Sequence, residues 1–247
     1  MTTLLGRHSE RPLSSVPAAA KAVLIGALAL QLGWQALSPL PVAHAAALGR
    51  PADVAWLRAA SLGEPIAFAQ ALTLYLQAFD NQPGVSIPFR DLDYPVVIAW
   101  LKTALDLDPN GQYPLMMAAH IYAQVPDDDK TRLMLEFVHD EALRDPDRRW
   151  RWLAHGAIVA KHRLKDMPLA LRYADDITRH AQAAQAWARQ MKIFILQEMG
   201  EREAATVLLG GLLASGEVSD PAEIRFLTDR LKELERAEKS SPPSKSR

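Results

Sequence analysis

The sequence predicts an all-α fold in which helical hairpins stack into a solenoid behind a single N-terminal hydrophobic helix. Three observations carry that prediction. Apolar residues recur at helical spacing almost throughout, and no stretch alternates convincingly with the period of a strand. Asp-Pro dipeptides at Asp108-Pro109, Asp145-Pro146 and Asp220-Pro221 stand 37 and 75 residues apart, near one and two units of about 37. Proline cannot continue a helix but fits its first turn, so each dipeptide marks a place where one helix stops and the next begins.

Composition bounds the function before any motif does. The 247 residues suffice for one large domain or two small ones. They are 49% hydrophobic and 23% charged, with a formal net charge of -1. Nucleic-acid binding leans on a strong basic excess, so no nucleic acid is expected as the main partner. The chain has no cysteine. Disulfides, thiolate zinc sites, cysteine nucleophiles and a lipid on an N-terminal Cys are thereby excluded.

Residues 1–17 form a short N-terminal segment, and 18–49 read as a transmembrane anchor or a signal peptide. From Ala22 to Gly49 there is no Asp, Glu, Lys or Arg, and only His44 can carry a charge. The strongly apolar part, Ala22 to Trp34, has Gln31 as its one polar side chain. A spanning helix needs roughly 20 apolar residues and a signal-peptide core about 7–15. Read from Ala18 to Leu40, the segment makes a weakly apolar single span. Ala43-His44-Ala45 matches the small-x-small pattern before a cleavage site, although the stretch ahead of Ala22 is long for a signal peptide's basic head. A buried helix of a cytoplasmic domain is the third reading. Arg7, Arg11 and Lys21 precede the span and favour a cytoplasmic N-terminus, while Arg50 and Arg58 blunt the contrast. Two of the three readings put everything after Gly49 outside the cytoplasm, and the uncleaved anchor is favoured.

The helical domain is expected over residues 50–237. Asp53 is a good cap for a helix ending at Gly63. Pro65 opens the next, up to Asp80, and Tyr94–Pro109 places Val97, Trp100, Leu101, Ala104 and Leu105 on one face. The same test gives helices over Tyr113–Gln124, Asp128–Arg144, Arg148–Arg163, Asp166–His180, Ala183–Met199, Glu201–Ser215 and Asp220–Ala237. The exception is the insert 81–95, whose three prolines and glycine forbid a helix. A connector that long packs or functions. Here it is read as packed, with Val85, Ile87 and Phe89 pinned on neighbouring helices. The tail 238–247 is polar and Pro/Ser-rich, a composition that favours disorder.

Leu115, Ala118, Ala119 and Tyr122 fall where the W-x2-L-G-x2-Y pattern of a helical repeat would lie, and Trp152, His155, Gly156 and Val159 occupy the same frame after Pro146. "LKDMPLALRYADDI" and "MGEREAATVLLGGL" resemble the turn and second helix of successive units, with Ala170 and Ala205 35 apart. On these residues the chain resembles the tetratricopeptide-repeat (TPR) superfamily over roughly residues 95–215, and it is similar to bacterial membrane-anchored TPR-like proteins. The match is degenerate: one unit runs about two residues long, His155 stands at a usually apolar position, and counting back from Ala205 sets Arg189 and Lys192 at core positions. The resemblance implies a TPR-like α-solenoid whose concave face, lined by the first helix of each repeat, binds a protein segment. In that register Tyr113, Met116 and His120 of one unit and Trp150, Leu153 and Lys161 of the next would face the groove, with Trp187 and Phe194 extending it.

The densest charged cluster, Arg148 to Asp166, holds Arg148, Arg149, Arg151, Lys161, Arg163 and Lys165, together with His155 and His162. Three readings stand: a grip on nucleic acid, a docking patch for an acidic surface or lipid headgroups, and a basic face paired with Asp127–Asp129, Glu136, Asp140 and Asp147. The last is favoured. His155 and His162 are two turns apart, beyond the i, i+4 spacing of a helical two-His metal site, and Asp175 and Asp176 face different directions. Asp91 and Asp93 have no recognisable partner, and no nucleophile elbow or Gly-rich phosphate loop is present. No cofactor or metal is implied.

The expectation is therefore a non-catalytic scaffold or adaptor on a bacterial inner membrane, single-pass with its helical domain in the periplasm, or secreted there if cleaved after Ala45. Its partner would be a protein or peptide of the cell envelope. The alternative is a subunit of an envelope enzyme acting on glycan or lipid, which needs His155, His162 and a carboxylate to converge.

Overall fold

The computed structural model describes residues 16–37, 45–216 and 218–240. The basic head, Ala43-His44, the last residues of the expected Ala18–Leu40 span and the end of the tail lie outside them. The chain divides into two compact units, Met1–His44 and Ala45–Arg247.

In the first unit, α1 (Ala18–Leu37) is long and apolar enough to cross a membrane, and none of its residues is buried in protein. A signal sequence passes the same test.

The second unit is all-helical apart from one small hairpin. Its helices are α2 (Val54–Ala60), α3 (Pro65–Ala78), α4 (Tyr94–Leu107), α5 (Tyr113–His120), α6 (Asp128–Arg144), α7 (Pro146–His162), α8 (Met167–His180), α9 (Ala186–Met199), α10 (Arg202–Ser215) and α11 (Pro221–Ser240). Local chemistry sets most boundaries. The carboxylates of Asp53, Asp127 and Asp166 accept backbone N–H groups in the first turns of α2, α6 and α8. Pro146 and Pro221 open α7 and α11 directly after their aspartates. Asp108-Pro109 behaves differently: Asp108 ends α4, and α5 begins only at Tyr113. Gly200 and Gly216 end α9 and α10 in the left-handed conformation that suits glycine.

Three expectations are corrected. The helix expected over Tyr113–Gln124 stops at His120 and continues as a 3-10 turn, Tyr122–Gln124. There the carbonyls serve tertiary partners: Tyr122 O accepts from the Tyr94 hydroxyl at 2.7 Å, and Gln124 O accepts from Arg163 at 2.7 Å. Pro126 also forces Val125 into extended backbone. α9 starts at Ala186 rather than Ala183, whose N–H is taken by Asp147 Oδ1 at 2.8 Å. The insert contains a strand pair, β1 (Asn81–Gln82) and β2 (Val85–Ser86), in antiparallel register Asn81↔Ser86 and Gln82↔Val85. Pro83 and Gly84 (φ 79) supply the turn. Beyond it Ile87 and Phe89 pack against the core as expected and Leu92 is buried, whereas Val85, in β2, is half-buried outside the core clusters.

Each helix packs mainly on its sequence neighbours: α3 on α4, α6 on α7, α7 on α8, α8 on α9, and α10 on both α9 and α11. Alternate helices also touch, α4 with α6, α5 with α7 and α6 with α8. Buried positions form three clusters. The small first cluster joins Leu57, Ala69 and Leu107, a large one runs from Leu48 to Ile195, and the last gathers Ile193, Leu196, Ala205, Leu209, Leu227 and Leu234.

Most side-chain hydrogen bonds between helices share a spacing, while Lys192–Asp175, 17 apart, and Arg149–Glu141, 8 apart, join consecutive helices at shorter range. Gln77–Tyr113, Gln112–Trp152, Glu136–Arg172, His139–Asp176, Lys161–Glu198, Gln190–Glu223 and Gln197–Arg230 all join residues 33 to 40 apart. That interval brackets the 37-residue step between Asp-Pro dipeptides.

Candidate functional site

The six residues expected to face a groove separate into two groups. Tyr113 and His120, on α5, are exposed, and Tyr113 donates its hydroxyl to Gln77 Oε1 at 2.9 Å. Met116 is half-buried against the large core cluster. Lys161 is partly covered and paired with Glu198 Oε1 at 2.7 Å. Trp150 and Leu153 are core residues, 5% and 2% exposed, so neither faces an open surface. α7 packs against α6 and α8 and also touches α5, so little of its circumference is left to solvent. Trp150 instead supports its neighbour: its ring stands edge-on to exposed Trp187 at 5.6 Å.

What α7 does leave open is a different stripe. Ile158, Lys161 and His162 meet Trp187, Met191 and Phe194 of α9 around a shallow depression of about 320 Å3. On the α5 side, His120 stacks on His155 with ring centroids 3.7 Å apart and meets Trp152 edge-on at 5.8 Å. Trp152 donates its indole N–H to Gln112 Oε1 at 2.6 Å. Tyr113 and His120 on α5, Ile158 on α7 and Trp187 on α9 are exposed aromatic and aliphatic groups that these alternate helices present.

The histidines do not converge as the enzyme alternative requires. His155 faces α5, whereas His162 lines the α7–α9 depression. Burial, reinforced by the adjacent His120 ring, pushes His155 below the ordinary histidine range, against the opposing effect of a backbone hydrogen bond at Ala119. At neutral pH it is an uncharged packing group.

The basic cluster is largely engaged within the fold, though with other partners than Glu136, Asp140 and Asp147. Arg149 is fully buried, donates to Glu141 O at 2.7 Å and Pro109 O at 2.8 Å, and pairs with Glu141 Oε2 at 3.1 Å. Breaking such a buried pair costs about 3–5 kcal/mol, because one charge is left without a partner. Arg148 pairs with Asp145 at 3.0 Å, and Arg163 is spent on the carbonyls of Gln124 and Val125. Arg151 lies over the Trp150 ring. Glu136 is taken by Arg172 of α8.

Two features escaped the sequence reading. Glu136, His139 and Asp140 on α6 each bring a ligand-type atom within 4.8 Å of the others. The i, i+3, i+4 spacing was the available signal. Glu136 is held by Arg172 and His139 Nε2 lies 2.8 Å from Asp176 Oδ2, so these two belong to the polar seam between α6 and α8, while Asp140 meets His139 on its own helix. The second feature is a cavity of about 430 Å3 between α8, α9 and α10, bordered by Lys192, Ile193, Leu208 and Leu212. It explains the misplaced register at Lys192, whose ammonium is 2.6 Å from Asp175 Oδ1 of α8.

Comparison with family models, with curated proteins and with solved structures finds no match for this chain. The TPR resemblance therefore rests on its own residues. Of those, Leu115, Ala118, Ala119, Tyr122, Ala170 and Ala205 are all completely buried.

Proposed function

We propose that the protein is a membrane-tethered, TPR-like α-solenoid that acts without catalysis as an adaptor, its helical domain on the periplasmic side of a bacterial inner membrane. The observation that carries this reading is the 33- to 40-residue interval of the interhelical hydrogen bonds. Contacts that recur at one repeat length are what stacked hairpins make, and stacked hairpins present the first helix of every unit along one open face. In this chain those helices are α5, α7 and α9. The α7–α9 depression takes one apolar side chain of an envelope-protein segment, and Tyr113, His120 and Trp187 supply flat rings that bury area at low entropic cost. Lys161 and Glu198 add a polar edge. A tether confines this face to the membrane plane and so raises its effective concentration toward other membrane components.

Photo-crosslinking in cells tests the reading. A benzophenone amino acid at Ile158 or Tyr113 is expected to give discrete protein adducts, and the same group at Leu133, exposed on α6, none. Trp187→Ala should reduce the Ile158 adduct several-fold. Equal labelling at all three positions, or none at Ile158 and Tyr113, overturns the proposal.

A further inference from the structure

The domain is gripped at its point of entry. Ala46 and the Gln82 side chain exchange two hydrogen bonds of 2.8 and 3.0 Å, Gly49 O accepts from the Trp100 indole at 2.7 Å, and Leu48 is buried in the core. Residues 38–44 connect this grip to α1, and at full extension they reach less than about 30 Å. The grip leads directly to α3, because the Trp100 ring lies 5.2 Å from that of Tyr75.

The surface found there is apolar. α3 carries no charged side chain, and it exposes Ile66, Leu74 (61%) and Tyr75. The turn before it displays Leu62, 92% exposed, and α2 adds Trp56, 64% exposed. Leu62 is held at φ 52 ahead of Gly63 at φ 93, a left-handed conformation that costs a leucine energy. Between Leu37 and Phe79, His44 aside, the acidic and basic side chains are Arg50, Asp53, Arg58 and Glu64, which cancel in charge. A strained turn that sets Leu62 in water, beside an uncharged helix with exposed Ile66 and Leu74, leaves apolar area that the domain does not cover, while Tyr75 packs one edge on Phe79 and Trp100.

We infer that this end of the domain, Trp56, Leu62, Ile66, Leu74 and Tyr75, rests in the headgroup region of the bilayer that α1 crosses. The inference depends on α1 being a span, as proposed above. The short connection keeps a lipid surface permanently within reach of this patch, whereas a second copy must arrive by diffusion. Trp and Tyr favour the membrane interface, and Leu and Ile gain by insertion into the headgroup boundary. The balanced charge adds no repulsion.

Because the chain lacks cysteine, single nitroxide labels can be placed without background. The full chain is reconstituted in phosphatidylethanolamine/phosphatidylglycerol vesicles with a label at Leu28→Cys, Leu62→Cys, Leu74→Cys or Leu133→Cys. Collision rates with oxygen and with a water-soluble nickel chelate are then compared. The expected order is a deep lipid signature at Leu28, a shallow one at Leu62 and Leu74, and a water signature at Leu133. Water signatures at Leu62 and Leu74 beside a lipid signature at Leu28 overturn the inference and leave the span standing. A water signature at Leu28 overturns the span and the inference with it. Labels at Leu62 and Leu74 that are shielded from both reagents and broaden as protein density rises show a second copy covering the patch, which also overturns it.

Discussion

His155 illustrates how one side chain can be read in two ways from sequence and in one way from its surroundings. Beside His162 and a row of cations it suggested a possible catalytic or ligand group; in the fold it is a neutral ring stacked on His120. Its depressed basicity has a consequence for stability. Below the ordinary histidine range the unfolded chain binds a proton at this position and the folded chain does not, so stability falls with acidity until the folded pKa is also passed. Denaturant titrations of the detergent-solubilised protein should show this loss as the pH falls through the ordinary histidine range, and His155→Gln should reduce its slope. An unchanged slope in the variant would assign the acid sensitivity elsewhere. The same helix shows why Trp150 and Leu153 were misplaced. A helix enclosed by α6 and α8 and touched by α5 has more than one buried stripe, and apolar spacing alone does not say which stripe is the open one. Ile158, a plain aliphatic among tryptophans and arginines, carried no signal of exposure.

At the level of elements, capping chemistry was legible and tertiary capture was not. Asp53 and the prolines at the starts of α3, α7 and α11 could be read because their effects act within one turn. The early end of α5 is set by Tyr94 and Arg163, 28 and 39 residues from the carbonyls they take. The hairpin of the insert belongs with the second kind. Two-residue strands fall below any periodicity test, yet this pair positions Gln82 to hold Ala46. Gln82→Ala removes both hydrogen bonds to that residue while leaving the Pro83-Gly84 turn intact. Hydrogen exchange at Ala46–Gly49 is expected to accelerate at least tenfold, with α4 unchanged, in keeping with a local opening rather than global loss. Equal protection in the variant would mean that Leu48 burial and the Trp100 bond to Gly49 O suffice to secure the segment.

For the whole molecule, the 37-residue step from Asp108-Pro109 to Asp145-Pro146 was legible because helix-stop chemistry acts locally, and most interhelical hydrogen bonds fall at 33 to 40 residues around it. The candidate face was only half visible, since it depends on which alternate helices touch. The distribution of core residues now makes a testable difference. Ile193, Leu196, Ala205, Leu209, Leu227 and Leu234 form a cluster apart from the large one that holds Tyr94, Leu115, Met134, Trp150 and Tyr173. In a stack whose units contact only their neighbours, stability is a sum of local terms and an end can open while the middle stays closed. A closed globule with one shared core would lose all its helices together. Native-state hydrogen exchange across a urea series separates the two. The stacked arrangement requires that amides of α10 and α11 lose protection at a lower urea concentration than those of α5 to α8, and that Leu209→Ala widen the gap without moving the second transition. Coincident loss across all helices, before and after that substitution, would mean a single cooperative core and would remove the basis for an open face on α5, α7 and α9.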